Sequence, residues 1–253
     1  MILNNNNIRI ALGITFCLLL VSCSTAPVKT DPGPPAIRQA TQEVDLSRNY
    51  PLSVYDPWET FNRGMYVFNA RFDKYVYLPV VRGYRFITPE FVRTGVSNFF
   101  NNVGELTNLT NAILQLKAET ALKTTGRLLL NSTLGVAGLF DIATPAGLPE
   151  REEDFGQTLG YWGVGDGPYI VLPIYGPSNL RDTGGLVVDT AVFYLIDPFN
   201  FDQNDDWGMV YSGVNAIDAR YQKSFRYYAT GSPFEYEWIR YLYRNGREIQ
   251  NDK

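Results

Sequence analysis

The sequence predicts a mainly α-helical protein built from amphipathic helices, with a short hairpin or an irregular Gly/Pro-rich apolar segment near its centre. Three observations carry that reading. Apolar residues recur at spacings of three and four through several long segments. Helix-start residues precede those segments. The middle of the chain combines glycine and proline with apolar rather than polar neighbours, as in Leu134–Leu148 and Gly160–Gly176.

Residues 1–22 read as a lipoprotein signal peptide. The apolar run Ile10–Val21 is about half the ~20 residues that a spanning helix needs. It ends in Leu20-Val21-Ser22-Cys23, a Leu-x-small-Cys cleavage pattern. Cleavage before Cys23 leaves a lipidated cysteine, whose acyl chains at ~0.8 kcal/mol per methylene hold the chain on a membrane. Ser24 rather than Asp follows, which by the sorting rule implies the outer membrane. Residues 23–49, rich in Pro, Ser, Thr and charge, read as a flexible tether, and residues 50–253 as one helical domain.

Within that domain Asp56-Pro57-Trp58-Glu59 supplies a helix start. Trp58, Phe61, Met65, Phe68, Phe72 and Tyr75 then form one apolar face, and Pro79 is expected to close the helix. Thr88-Pro89 opens a second helix; Asn108–Leu116 and Ala118–Leu130 suggest two more. Tyr169–Tyr175 has strand character interrupted by Pro173. Irregular apolar backbone of this kind has to be buried or line a cavity at membrane depth. Trp207 to Tyr228 reads as a long amphipathic helix. Ser232-Pro233-Phe234-Glu235 reads as a capping box for a last helix ending at Gly246.

Composition removes most chemistry. The chain has no histidine, which excludes Ser-His-Asp and Cys-His systems and nearly all zinc sites. Its two cysteines, Cys17 and Cys23, leave the domain without a thiol or disulfide, and no cofactor is implied. A net charge of −4 argues against nucleic acid, and no basic stripe stands out in the sequence. The 17 Tyr, 15 Phe and 4 Trp suit an aromatic core or a membrane interface.

Several local patterns have bland readings. Gly163-Val164-Gly165-Asp166-Gly167 lacks the following helix of a dinucleotide fingerprint and reads as a tight turn. Asp202-x-Asn204-x-Asp206 opens like a calcium loop but carries Trp207 and Gly213 where glycine and glutamate belong, so no metal site is assigned. Glu150–Asp154 reads as a solvated helix start rather than a glycosidase pair. Arg181-Asp182 is an ion pair at a helix start or a contact for a zwitterionic headgroup.

Four ordered segments narrow the choice: FNRGMYVFNARFD (Phe61–Asp73), SNFFNNVGELTNLTNAILQ (Ser97–Gln115), RLLLNSTLGVAGLFDIAT (Arg127–Thr144) and EDFGQTLGYWGVGDGPYIVLPIYGPSNLRDTGG (Glu153–Gly185). With the Cys23 motif they closely resemble the MlaA (VacJ) outer-membrane lipoproteins, from about Asp56 to Asp197. One departure is Glu105-Leu106, where the family often has Glu-Pro at a helix junction. The resemblance implies a ring-like bundle of amphipathic helices embedded in one leaflet, around an amphipathic channel. It implies removal of misplaced phospholipids from the outer leaflet. These would pass to a soluble periplasmic carrier that feeds an inner-membrane ABC transporter, with a trimeric porin as a further partner.

On that basis Phe68, Asn69 and Phe72 are expected to shape the pore entrance. Gly165, Gly167, Pro168, Leu172, Pro173 and Tyr175 would form a hinge and hairpin, and Arg181 and Asp182 would meet headgroups or brace that loop. The alternatives are a porin-associated scaffold that transports nothing, and an envelope hydrolase. The absence of histidine and of a Gly-x-Ser-x-Gly elbow counts against the hydrolase.

Overall fold

The computed structural model describes residues 54–199 and 205–251. The signal peptide and tether expected over 1–22 and 23–49, Cys23 included, lie outside the described residues, as do Asp202 and Asn204. Eight α-helices and one two-stranded hairpin are present among the described residues. They are α1 (Glu59–Phe72), α2 (Leu78–Ile87), α3 (Glu90–Leu114), α4 (Ala118–Thr133), α5 (Phe155–Tyr161), β1 (Tyr169–Leu172), β2 (Gly176–Asn179), α6 (Leu180–Ile196), α7 (Asp205–Gln222) and α8 (Glu235–Asn251). None of the described helices is long and apolar enough to cross a membrane.

Pro79 does not end the first helical run. A π-helical turn, Asp73–Tyr77, joins α1 to α2, and the N–H of Leu78 reaches the carbonyl of Asp73. Pro79 then falls in the first turn of α2, where its missing N–H is tolerated. The two helices expected across 88–116 are one 25-residue α3. At the Glu105-Leu106 departure the chain keeps helical hydrogen bonding, since Leu106 carries the N–H that proline would lack. The long helix expected to Tyr228 ends at Gln222, and α8 runs through Gly246 to Asn251.

Two expected caps act differently. Asp56 does not cap α1; its carboxylate accepts from Asn62 Nδ2 (2.7 Å), the Tyr236 hydroxyl and Arg240 Nη1 (3.0 Å). Glu235 reaches back past Ser232 to the Thr230 hydroxyl (2.6 Å), the Tyr228 N–H and the Tyr66 hydroxyl.

The helices are amphipathic, but their apolar faces point outward. Along α1, Trp58, Phe61 and Phe68 are exposed, while Asn62, Tyr66, Asn69 and Ala70 are buried. Along α4 the buried line is Thr120, Thr124, Arg127 and Asn131, with Leu122 and Leu129 exposed. Helix α3 buries Asn102, Glu105, Asn108 and Asn111, and α8 buries Arg240 and Arg247 while exposing Trp238, Leu242 and Ile249. A water-soluble domain shows the reverse arrangement.

Hydrogen bonds therefore hold the interior. Glu105, 0% exposed, pairs with Arg127, 3% exposed. Arg127 also donates to the Thr144 hydroxyl (3.0 Å) and the Leu148 carbonyl (2.5 Å), closing the segment after α4. Asn131 accepts from the N–H groups of Ile142 (2.8 Å) and Ala143 (3.0 Å). The apolar 134–142 stretch is thus satisfied through its backbone while Leu134, Val136 and Phe140 stay exposed. A small aromatic cluster of Tyr66, Tyr169, Val171 and Tyr236 joins α1, the hairpin and α8.

Candidate functional site

The site grows from the hairpin. Strand β1 pairs antiparallel with β2, Tyr169 opposite Asn179 and Leu172 opposite Gly176. On its other side β1 meets no strand among the described residues. Asn62 and Asn69, two turns apart on α1 and so on one face, supply the missing partners. Asn62 donates to the Tyr169 carbonyl (3.0 Å) and accepts from the Val171 N–H (2.8 Å). Asn69 donates to the Leu172 carbonyl (2.9 Å) and accepts from the Ile174 N–H (2.6 Å). Two side-chain amides thus imitate a neighbouring strand.

The turn they hold is strained. Ile174 has φ of 67°, a left-handed conformation that a β-branched residue resists. Pro173 precedes it, its carbonyl accepting from the Tyr175 N–H (2.7 Å), and Gly176 follows with φ of 97°.

Beneath this turn lies a cavity of about 670 Å³ between the α1–α2 junction, the hairpin, α7 and α8. Asn69, Phe72, Ile174 and Tyr175 line it from one side, and Arg220 and Lys223 from the other. Its walls are mainly aromatic and aliphatic, so the cavity is amphipathic. Arg220 is fixed by Asp73 in the π-turn through Nη2–Oδ2 at 2.9 Å, and by the carbonyls of Lys223 (2.7 Å) and Phe225 (2.9 Å). The hydrogen bonds that Arg220 donates to Asp73 raise its pKa above its ordinary value despite burial. Lys223 has no ion-pair partner among the described residues.

The expected site residues separate into groups. Asn69, Phe72 and Tyr175 meet at this cavity, with Leu172 and Pro173 beside it in the hairpin. Gly167 and Pro168 line a second cavity of about 340 Å³ with Asp166 and Arg244. Gly165 lies in the loop before it. Phe68 is on the outer surface of α1, its ring stacked on Phe72 with centroids 6.1 Å apart. Arg181 and Asp182 belong to the interior. Arg181 is buried and binds Asp166 (2.6 Å), the Val164 carbonyl (3.2 Å) and Asp182 (3.1 Å). Asp182 accepts from the Tyr243 hydroxyl (2.6 Å) and pairs with Arg247 Nε (2.7 Å).

Arg247 also grips Asp154 in two bonds of 2.6 and 2.8 Å. Burial opposes ionisation of Asp154, but Arg247 and the Gln157 N–H together hold its pKa below the usual carboxylate range. Gly185 lets α5 and α6 approach here: a Cβ on it would stand 2.4 Å from the Gly156 nitrogen. Sequence reasoning did not single out Asn62, Asp73, Arg220 or Lys223. Asp73 and Asn62 sat inside a quoted motif; nothing local marked Arg220, whose partner is far along the chain.

The acidic stretch at 150–154 is a helix start that is only partly solvated. Glu153 is buried against Lys117 (3.2 Å) and Asp154 caps α5. Glu150 competes with Glu105 and Asp141 for Arg127, whose Nη2 lies 3.9 Å away. Burial, and then the Glu105 charge, push the Glu150 carboxyl up to about 7. The folded state therefore holds a proton that the unfolded chain releases between roughly pH 4.3 and 7, and stability falls as pH rises through that window. Glu150→Gln is expected to raise stability at pH 8 by about 1 kcal/mol, a value reduced by partial solvent screening, and to change nothing near pH 4. Denaturation in detergent at the two pH values checks this.

An outward apolar surface, a hydrogen-bonded interior and an amphipathic cavity define a class: a helical protein whose exterior suits contact with lipid. The chain belongs to the MlaA lipoprotein family, whose profile matches residues 54–250. It is 34% identical over 168 residues to the intermembrane phospholipid transport system lipoprotein MlaA of Haemophilus influenzae, covering 65% of this chain and 66% of that one. The protein of the same name from Escherichia coli K12 is 42% identical over 138 residues, covering 53% and 55%. An uncharacterised Rickettsia felis protein is 39% identical over 170 residues, covering 67% and 66%. The matched region is thus about two thirds or less of these curated relatives' length. A solved chain from work on the structural basis for maintenance of bacterial outer membrane lipid asymmetry matches with a TM-score of 0.63 at 32% identity. That match covers 78% of this chain and all of that one. The protein is accordingly an outer-membrane lipoprotein of the periplasmic leaflet and not an enzyme.

Proposed function

We propose that the protein removes phospholipids that have strayed into the outer leaflet of the outer membrane. They would pass through the amphipathic cavity to a soluble periplasmic carrier, which delivers them to an inner-membrane ABC transporter. The observation that carries this reading is the inversion of the helices, apolar outward and polar inward. Acyl tails can remain in hydrocarbon outside such a ring-like bundle while a polar interior lowers the cost of moving a headgroup. Lys223 and Arg220 would meet the phosphate, and Phe72 and Tyr175 the glycerol and upper acyl region. The Asn69-held turn would act as the gate. Arg181 and Asp182 would brace the loop behind it, because they are held inside the protein by Asp166, Tyr243 and Arg247. Cys23 would carry the lipid anchor, and a trimeric porin would hold the bundle in the leaflet.

The test is the amount of phospholipid exposed on the cell surface in a deletion strain complemented with wild-type protein or with Cys23→Ala. Exposure is expected to rise on deletion and to fall only with the wild type. Unchanged exposure on deletion would end the transport reading and leave a porin-associated scaffold in its place.

A further inference from the structure

The segment from Lys74 to Pro89 contains three cations, Lys74, Arg82 and Arg85, and no acidic residue, in a chain whose net charge is −4. Following the buried Asp73, its inward line is Val81 with the half-buried Tyr77, Leu78, Tyr84 and Thr88, and the rest is exposed. Tyr75 is 69%, Phe86 91% and Ile87 76% exposed, and Val76 and Val80 are exposed beside them. None of the three cations has a carboxylate partner among the described residues, and Lys74 lies over the Tyr75 ring at 5.3 Å. The π-turn matters here. The run passes through it without a break, and Lys74, Arg82 and Arg85 each follow directly on an inward residue (Asp73, Val81 and Tyr84), which sets them on one side.

We propose that the outward face of the π-turn and α2 lies in the headgroup layer and binds anionic phospholipid, with Lys74, Arg82 and Arg85 as its contacts. The reading rests on the membrane location of the protein and adds a lipid class to it. Cations interleaved with aromatic and aliphatic side chains are the composition of an interfacial helix, the long basic side chains reaching up to phosphate while the rings sink. Phe68 of α1 and Phe91 of α3 are exposed as well.

Each cation near an anionic surface contributes about fivefold in affinity, so the three together give on the order of a hundredfold at low salt. Screening over about 8 Å at physiological salt reduces this. The full chain carrying Cys23→Ser, which removes the competing acyl anchor, is floated with phosphatidylcholine vesicles and with phosphatidylcholine–phosphatidylglycerol vesicles. Tighter, salt-sensitive binding to the second is expected. The triple variant Lys74→Gln/Arg82→Gln/Arg85→Gln should lose that preference and keep its binding to phosphatidylcholine, while Arg82→Lys/Arg85→Lys keeps the preference. Equal binding to both vesicles, or a preference that survives in the triple variant, would overturn the proposal and point to an acidic protein on this face. Absence of binding to either vesicle would overturn the membrane reading beneath it.

Discussion

Arg127→Met is expected to lower stability by about 3–5 kcal/mol, the effect of leaving a buried charge without its partner. Glu105, fully enclosed by α3 and α4, would keep only the Asn108 side chain, 3.2 Å away, as a donor. The Thr144 hydroxyl and the Leu148 carbonyl would lose their shared donor as well, so the segment after α4 should loosen with the core. The double variant Glu105→Met/Arg127→Met removes both charges and should recover part of the loss, because a well-packed apolar pair often replaces an ion pair at little cost. Thermal unfolding in detergent of the two singles and the double gives the coupling directly. A double variant as unstable as the sum of the singles would show that the pair does not act as a unit.

Asn69→Leu should have the largest effect on function. The substitution leaves the Leu172 carbonyl and the Ile174 N–H unpartnered beside the cavity, at about 1–3 kcal/mol for each group that stays buried. Ile174 no longer has a reason to hold a left-handed backbone, and the turn should relax away from its present position. On the proposed reading, surface phospholipid then rises toward the level of the deletion strain while the protein remains folded and localised. Asn69→Asp can still accept from Ile174 but not donate to Leu172, and an intermediate phenotype is expected. Normal clearance by a folded Asn69→Leu protein would remove the turn from the lipid path.

These two sites differ in how far they could be read from sequence. The three-and-four spacing along α1 was legible, and so was the strand character of Tyr169–Leu172. The direction of the apolar stripe was not, because periodicity measures how well two faces are segregated and says nothing about which one is buried. Phe68, expected to help shape the pore entrance, is exposed on that stripe. Pro79 was read as a stop because the π-turn before it, where Asp73 pairs with Arg220, leaves no local mark. Asn69, Phe72 and Tyr175 were found through a resemblance and do meet at one cavity. Arg220 and Lys223, which complete its lining, come from α7 and the segment after it, where no sharp motif exists. Capping logic erred where backbone donors were outbid by side chains, as at Asp56, which serves Asn62, Tyr236 and Arg240 instead of the first N–H groups of its helix.

The outward turn of the apolar faces has a consequence for biogenesis. Trp58, Phe61, Phe86, Phe91, Leu122, Leu195 and Trp238 are exposed, and on the proposed reading lipid covers them. A chain that folds before it reaches the membrane presents a greasy exterior to water, and large contiguous patches of that kind drive self-association. Folding is therefore no safeguard against aggregation for this protein; delivery is. The dangerous interval is the aqueous crossing, and a variant that slows arrival should precipitate even when its fold is sound.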